Sequence, residues 1–275
     1  MFNNKISDEL FNRYLNILRI SSSEPSLNQL SSIVAAHLYR VPFENISKLY
    51  YKKTLGRRTL PGLSEYLDGI EIYHFGGTCY ANNYYLYLLL KYLGYDIMLC
   101  GADMANPDVH LASIVKLDDR EYMVDVGYAA PFDHPLPRDL DHDYEIKLGN
   151  NRYVLKPRDS QGRSEMELHR NGIHKHGYVV KPVARSIEHF TDVIAHSFTG
   201  EATFTNALLL VRMFPNRSIV IHNLHVIESE GMEQRIVEIP NRAELAHVIE
   251  HYFNIPKQIA AEAIAELGEL GDAWN

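Results

Sequence analysis

Two glycines and a thiol make the first group of residues in this sequence with the chemistry of a nucleophile. Cys79 lies in Phe75-Gly76-Gly77-Thr78-Cys79-Tyr80-Ala81-Asn82-Asn83. Paired glycines permit a tight turn and a close approach of backbone. The following YANNYYLYLLLKYLG is apolar almost all round and ends on Gly94, a helix-stop residue. It predicts a buried helix with Cys79 in its first turn. Free N–H groups and the positive end of the helix dipole favour an anion at that point, and so favour the thiolate, which is the nucleophilic species. The same N–H groups suit the oxyanion of a tetrahedral intermediate. Against this stands the plain alternative that a lone cysteine is a small buried apolar residue and the glycine turn only an entry to a core helix. The other cysteine, Cys100, follows Met98-Leu99 with no base at a recognisable spacing, so it is expected to be an ordinary thiol.

A thiol that carries an acyl group needs a base and a group to orient it. The sequence holds 14 histidines, most of which must be surface or satisfied core residues. His110 stands out because of what faces it. It opens the β-prone VHLASIVKL, Asp118-Asp119 makes a turn, and REYMVDVGY returns. With those two aspartates as the loop, Leu117 opposes Arg120, His110 faces Gly127 and Asp125 faces Ala112. His110 and Asp125 are then diagonal neighbours on one face of the hairpin, their Cβ atoms ~7–8 Å apart or less. A four-residue loop keeps this parity and a three-residue loop destroys it. Asp125 sits between Val124 and Val126, where aspartate is disfavoured in a strand. If buried, its carboxylate requires a partner, and His110 is the evident one. A carboxylate there fixes the imidazole tautomer and favours the imidazolium. Cys79, His110 and Asp125 together form a Cys-His-Asp hypothesis.

The elements that must position these residues fall into three stretches. Apolar residues recur at helical spacing over 7–20 and 26–40, with the serine-rich SSSEPS between them as a turn and cap, and 63–67 suggests another short helix. Residues 109–117, 121–128, 144–148 and 152–156 are short β-prone runs separated by Asp, Gly, Asn and Pro, as in an antiparallel sheet or barrel. Farther on, 185–196 looks helical. Residues 206–213, 218–227 and 234–239 predict a three-strand meander. Asn241 is placed to cap a helix to about Phe253, and the tail from Lys257 looks helical and weakly anchored. The expected fold class is α+β: a helical bundle with the cysteine over 1–95, a β-barrel with the histidine and aspartate over 96–184, and an α/β lid over 185–275. No repeat or low-complexity tract interrupts it.

Composition bounds the function. The chain has 275 residues, 46% hydrophobic and 23% charged, with a formal charge of −8. That balance argues against a nucleic-acid or anionic-membrane binder, though not against an anionic substrate held by a local pocket. No stretch reaches the ~18 apolar residues of a membrane span, and MFNNKISDELF lacks a signal-peptide core. A cytoplasmic location is expected. Neither cysteine belongs to a C-x-x-C pair, so no metal is expected, and a reducing cytosol disfavours a disulfide.

With these residues in place, the sequence resembles the arylamine N-acetyltransferases over nearly its whole length. Val41-Pro42-Phe43-Glu44-Asn45 is similar to the family's VPFEN segment, Gly76-Gly77-Thr78-Cys79 to its Gly-Gly-x-Cys motif with Asn83 at the matching asparagine, and His110-Leu111 to its histidine strand. Val124-Asp125-Val126-Gly127-Tyr128 resembles VDVGFG, with Tyr128 for phenylalanine, and Phe204 to Arg212 before a strand meander also fits. The resemblance implies a cysteine-protease-like core and a ping-pong reaction. Acetyl-CoA, as co-substrate, acylates Cys79, and a small-molecule arylamine, arylhydrazine or N-hydroxyarylamine takes the acyl group. It also points to Asn106, Pro107 and Thr205, the last in the loop from about Ser197, as contacts of CoA, and to Phe43, Tyr128 and Phe204 as contacts of the acceptor.

Four departures bear on specificity. Phe75 stands where the family has an arginine, which leaves Glu44 in need of another partner. Ala81 replaces the usual glutamate or glutamine, and the segment from Cys79 to His110 is shorter than the family norm. Tyr128 carries a hydroxyl that would bond a substrate or point to solvent. The rivals are an amide synthase or other acyltransferase with a different acyl thioester, protease or transglutaminase chemistry on the same residues, and a catalytically silent binding protein of the same fold.

Overall fold

A computed structural model of the chain describes residues 2–271. Five helices open it: α1 (Phe2–Leu18), α2 (Leu27–Arg40), α3 (Ile46–Leu55), α4 (Leu63–Tyr73) and α5 (Cys79–Tyr92), with the short strand β1 (Phe43–Glu44) before α3. The helical periodicity of the first forty residues is explained by burial of Tyr14, Leu18, Leu30, Ile33 and Val34 against α5. Ser26 caps α2, its hydroxyl accepting from Gln29 N at 3.2 Å. Helix α3 had no counterpart in the sequence reading. Its buried face contains Ser47 and Lys48 beside Ile46 and Leu49, so no apolar stripe marks it.

Eight antiparallel strands then build a nearly closed barrel: β2 (Asp96–Asp103), β3 (His110–Leu117), β4 (Arg120–Val124), β5 (Leu136–Pro137), β6 (Tyr144–Leu148), β7 (Asn151–Leu155), β8 (Ser164–Arg170) and β9 (Ile173–Ala184). Their order is β5-β4-β3-β2-β9-β8-β7-β6. Inside lie Ala112, Ile114, Met123, Phe132, Met166, Tyr178 and Val180. The hairpin register matches the expectation: Leu117 opposes Arg120 and Ser113 opposes Val124. Asp118 and Asp119 both adopt left-handed backbone, φ 49° and 60°, the geometry of a two-residue hairpin turn. Strands β2, β8 and β9 had not been anticipated.

After the barrel, the helix expected over 185–196 is a 3-10 turn at Ile187–Phe190 followed by α6 (Thr191–His196), and α7 (Thr203–Asn206) comes next. The meander has four strands rather than three: β10 (Leu209–Phe214), β11 (Arg217–His222), β12 (His225–Glu230) and β13 (Glu233–Glu238). A turn at Asn223, φ 50°, divides the run that had looked continuous. The strand β1 joins this sheet, Phe43 opposing Val211 and Glu44 opposing Leu210, so the first and last thirds share backbone hydrogen bonds. Asn241 caps the next turn, its carboxamide oxygen accepting from Ala243 N and Glu244 N, ahead of α8 (Leu245–Phe253). The tail is firmly held, contrary to expectation. Helix α9 (Lys257–Ile264) buries Ala260, Ala263 and Ile264 against Ile46, Leu49 and Ile249, and Arg242 donates to the carbonyls of Ile264 and Gly268.

Candidate active site

Cys79 is the first residue of α5 and is only 8% exposed. The turn before it cannot be built from other residues. Gly77 has φ +111°, and a Cβ on Gly76 would sit 1.8 Å from the Pro42 carbonyl oxygen. The turn is held by Glu44. Its backbone N–H donates to Gly77 O at 3.0 Å, and its carboxyl accepts from Gly76 N at 3.0 Å, Ser47 N at 2.7 Å and Ser47 Oγ at 2.6 Å. These are the partners that replace the missing arginine. Burial raises the Glu44 pKa, and hydrogen bonds from Ser47 and from the Gly76 and Gly77 backbone oppose that rise. Phe75 turns away into a cluster with Tyr50, Tyr51 and Tyr73, ring centroids 5.3–6.1 Å apart.

Facing the thiol is His110 at the start of β3. Its Nε2 lies 2.7 Å from Asp125 Oδ2, both groups buried. The diagonal relation expected from the hairpin is thus a direct hydrogen bond. Burial alone would lower the imidazole pKa, but the Asp125 charge and hydrogen bond, with Cys79, push it up to about 10. With Nε2 committed to the carboxylate, Nδ1 is the ring nitrogen left for the thiol. Asp125 is buried too, which raises a carboxyl pKa. The charge and hydrogen bond of His110, then Tyr178 and Asn83, win and hold it below its usual range. Its Oδ1 accepts from Asn83 Nδ2 at 2.8 Å and Gly127 N at 2.9 Å, and its Oδ2 from Tyr178 OH at 2.6 Å. A buried carboxylate with four donors is fully satisfied.

Asn83 ties the two halves together. One turn along α5 from Cys79, it also donates to Leu111 O at 2.5 Å and accepts from Val126 N at 2.8 Å. Gly127 lets helix and strand meet: a Cβ there would lie 2.7 Å from both Cys79 Cα and Asn83 Nδ2. The space beside Gly127 is filled by α5 itself. The i, i+4 spacing from Cys79 was a signal for Asn83. Nothing local marked Tyr178, because β9 was not recognised.

The remaining expected residues lie as follows. Phe43 is buried and packs edge-on against Phe204, centroids 5.5 Å apart. Tyr128 is buried 5.7 Å from the His110 ring centroid. Its hydroxyl is turned inward, sharing a hydrogen bond with His176 Nδ1 at 2.8 Å, a ring that burial holds neutral with a pKa of about 4. Asn106 and Pro107 sit in the exposed turn between β2 and β3, next to Val109, whose carbonyl lies 3.9 Å from Cys79 Sγ. Thr205 is buried, and its hydroxyl donates to Thr199 O and Ala202 O at 2.7 Å. Cys100 is fully buried and burial pushes its pKa up to about 12. Among the described residues there is no cluster of three or more His, Cys, Asp or Glu able to hold a metal, and no helix long and apolar enough to cross a membrane. A narrow cleft of about 40 Å³ opens beside the Gly77-Thr78 backbone, lined also by Lys48, Phe75, Ile194 and Phe198.

An antiparallel barrel that sets a histidine–carboxylate pair against a cysteine at a helix start is a cysteine-protease-like core. The sequence model of the N-acetyltransferase family matches residues 26–261, and the chain belongs to the arylamine N-acetyltransferase family. It is similar to the pineal-gland arylamine N-acetyltransferase isozyme NAT-3 of Gallus gallus, 33% identical over 128 residues, which are 44% of this chain and 42% of that protein. It is also similar to N-malonyltransferase FDB2 of Fusarium pseudograminearum, 33% identical over 162 residues, 48% of this chain and 44% of that protein. The chain therefore spans under half the length of these relatives. The arylamine N-acetyltransferase structure from Nocardia farcinica superposes with a TM-score of 0.75 at 24% identity, covering 92% of this chain and 93% of that one. That from Salmonella typhimurium gives 0.76 at 16% identity, covering 93% and 98%. At these identities the superpositions establish the fold.

Proposed function

We propose that the protein is an acyl-CoA-dependent N-acyltransferase that works through a thioester on Cys79, with His110 as proton carrier and Asp125 as its anchor. The observation that carries this reading is the buried His110–Asp125 bond, set against a thiol at the start of α5. In the first half-reaction the Cys79 thiolate attacks the thioester carbonyl of acetyl-CoA. A tetrahedral oxyanion forms near the N–H groups of the α5 start, then collapses. The bond to CoA sulfur breaks, and the CoA thiolate takes the proton of the His110 imidazolium. In the second, an arylamine, arylhydrazine or N-hydroxyarylamine attacks the acyl-cysteine, and the now neutral His110 accepts its proton. Cys79 leaves as thiolate, which restores the starting pair. Asp125 keeps the ring oriented throughout and is never itself protonated.

On this reading the donor enters over the rim that carries Asn106 and Pro107, with the segment leading to Thr205 as the opposite bank. Thr205 serves there as a brace, its hydroxyl being bound to its own loop. Phe43 and Phe204 act as one aromatic wall for the acceptor, and Tyr128 shapes that site by its ring. The reaction uses no metal, and the working site is cytoplasmic. The test is intact-protein mass spectrometry with acetyl-CoA and no acceptor. One added acetyl group is expected on the wild type and none on Cys79→Ala. Acetylation that persists in Cys79→Ala would overturn the assignment.

A further inference from the structure

In the cleft beside the Gly77-Thr78 backbone lies a cation with no carboxylate ion pair among the described residues. Lys48 is 8% exposed, on the inward face of α3. Its ammonium donates to Ser197 Oγ at 2.7 Å and sits 4.4 Å from the centroid of the Phe198 ring. Among the described residues it has no ion pair with any carboxylate. Glu44, four residues before it, is engaged by Ser47 and Gly76. An ammonium has three N–H donors, and a buried cation without a counter-charge costs several kcal/mol. Burial accordingly pulls the Lys48 pKa down to about 8, the Cys79 thiolate opposing that fall and Lys52 adding to it. Lys48 lines the cleft together with Gly77 and Thr78, the two residues that precede Cys79.

We propose that Lys48 receives a carboxylate carried on the acyl group of the donor, so that the enzyme prefers a dicarboxylic acyl thioester of the malonyl class over acetyl-CoA. This rests on the Cys79 thioester reading. Acylation erases the thiolate charge that balances Lys48. An acetyl group leaves the ammonium without a carboxylate, because the Glu65 carboxylate that also lines the cleft is paired with Arg57 at 2.7 Å. A malonyl group returns a negative charge within reach of the same ammonium at the moment the thiolate is lost. The chemistry is otherwise unchanged: sulfur–carbon bond formation at Cys79, cleavage of the bond to CoA sulfur, proton transfer from His110 to the leaving thiolate, and a distal carboxylate that stays ionised. The similarity to an N-malonyltransferase accords with this donor class.

The test uses the full chain at pH 7, where the ammonium is charged. Acetyl-CoA and malonyl-CoA are offered in separate single-turnover reactions, and thioester formation on Cys79 is followed by intact mass. The malonyl thioester is expected to form on the order of tenfold faster, the scale of one charge-assisted hydrogen bond. Lys48→Met should lower the malonyl-to-acetyl ratio by about the same factor. Equal wild-type rates for the two donors overturn the proposal whether or not the variant folds. So does a Lys48→Met variant that keeps the wild-type ratio. A third overturning result is a Lys48→Met effect confined to the second half-reaction with 4-aminobenzoate and absent with aniline, which would assign the cation to the acceptor. If neither donor acylates Cys79, the thioester reading itself fails, and the donor preference with it.

Discussion

At the residue scale, the site centres on a proton shared by a buried imidazole and a buried carboxylate, 2.7 Å apart. The His110 imidazolium is stabilised by Asp125 so strongly that its pKa stands near 10 despite burial. Its NMR ring signals are expected to titrate there, and not near the ordinary ~6.5. In Asp125→Asn that titration should move down, and thioester formation should slow by on the order of 10²–10⁴-fold with little change in fold. The sign of the stability effect follows from the raised value. The contribution of His110 is fully present below pH ~6.5 and disappears as pH rises through about 10. The difference in urea midpoint between wild type and His110→Gln should therefore shrink over that interval. An unchanged difference would show that the imidazolium is not what the fold stabilises. Asp125 was legible in the sequence because an aspartate between two valines needs a reason. Tyr178 was not, because a tyrosine in an irregular strand needs none.

Elements carry the next level of precision. The two-residue Asp118-Asp119 turn sets the parity of β3 and β4, and parity alone decides whether His110 and Asp125 share a face. That much follows from residue types. What the sequence concealed was how α5 docks on this hairpin, and the marker for it is Gly127. Gly127→Ala places a methyl 2.7 Å from the Cys79 Cα. The expected cost is ~1–3 kcal/mol in stability, with loss of thioester formation as Cys79 is pushed from His110. Gly200→Ala is the control, since a Cβ there meets nothing within 4 Å. A thermal melt and a single-turnover acylation compare the two, and equal behaviour would mean that helix and strand are not in fixed contact. Helix α3 and strand β9 escaped recognition for a common reason. The buried face of α3 carries a serine and a lysine, and β9 runs through Gly177 and Pro182 with partly exposed residues on both faces. Hydrophobic periodicity is blind to both.

The whole molecule is braced from its far end. The final helix packs on α3, the helix that bears Lys48 and follows the Glu44 turn. Ile264→Ala should cost ~2–4 kcal/mol by urea unfolding, the scale of a buried aliphatic truncation. A value below ~0.5 kcal/mol, typical of the surface, would restore the weakly anchored tail that composition had suggested. The shared sheet has a consequence for how the protein is made. The Phe43–Glu44 strand, whose glutamate ties down the turn before Cys79, pairs with β10, and Asn45 bonds to the backbone of Phe204, Ala207 and Leu209. A nascent chain with helix α5 and the barrel already outside the ribosome still lacks those partners. The turn before Cys79 is thus fully held only after residues 204–214 have emerged, so on the proposed thioester reading a chain stalled before that point is expected to carry Cys79 yet stay uncharged by acyl thioesters.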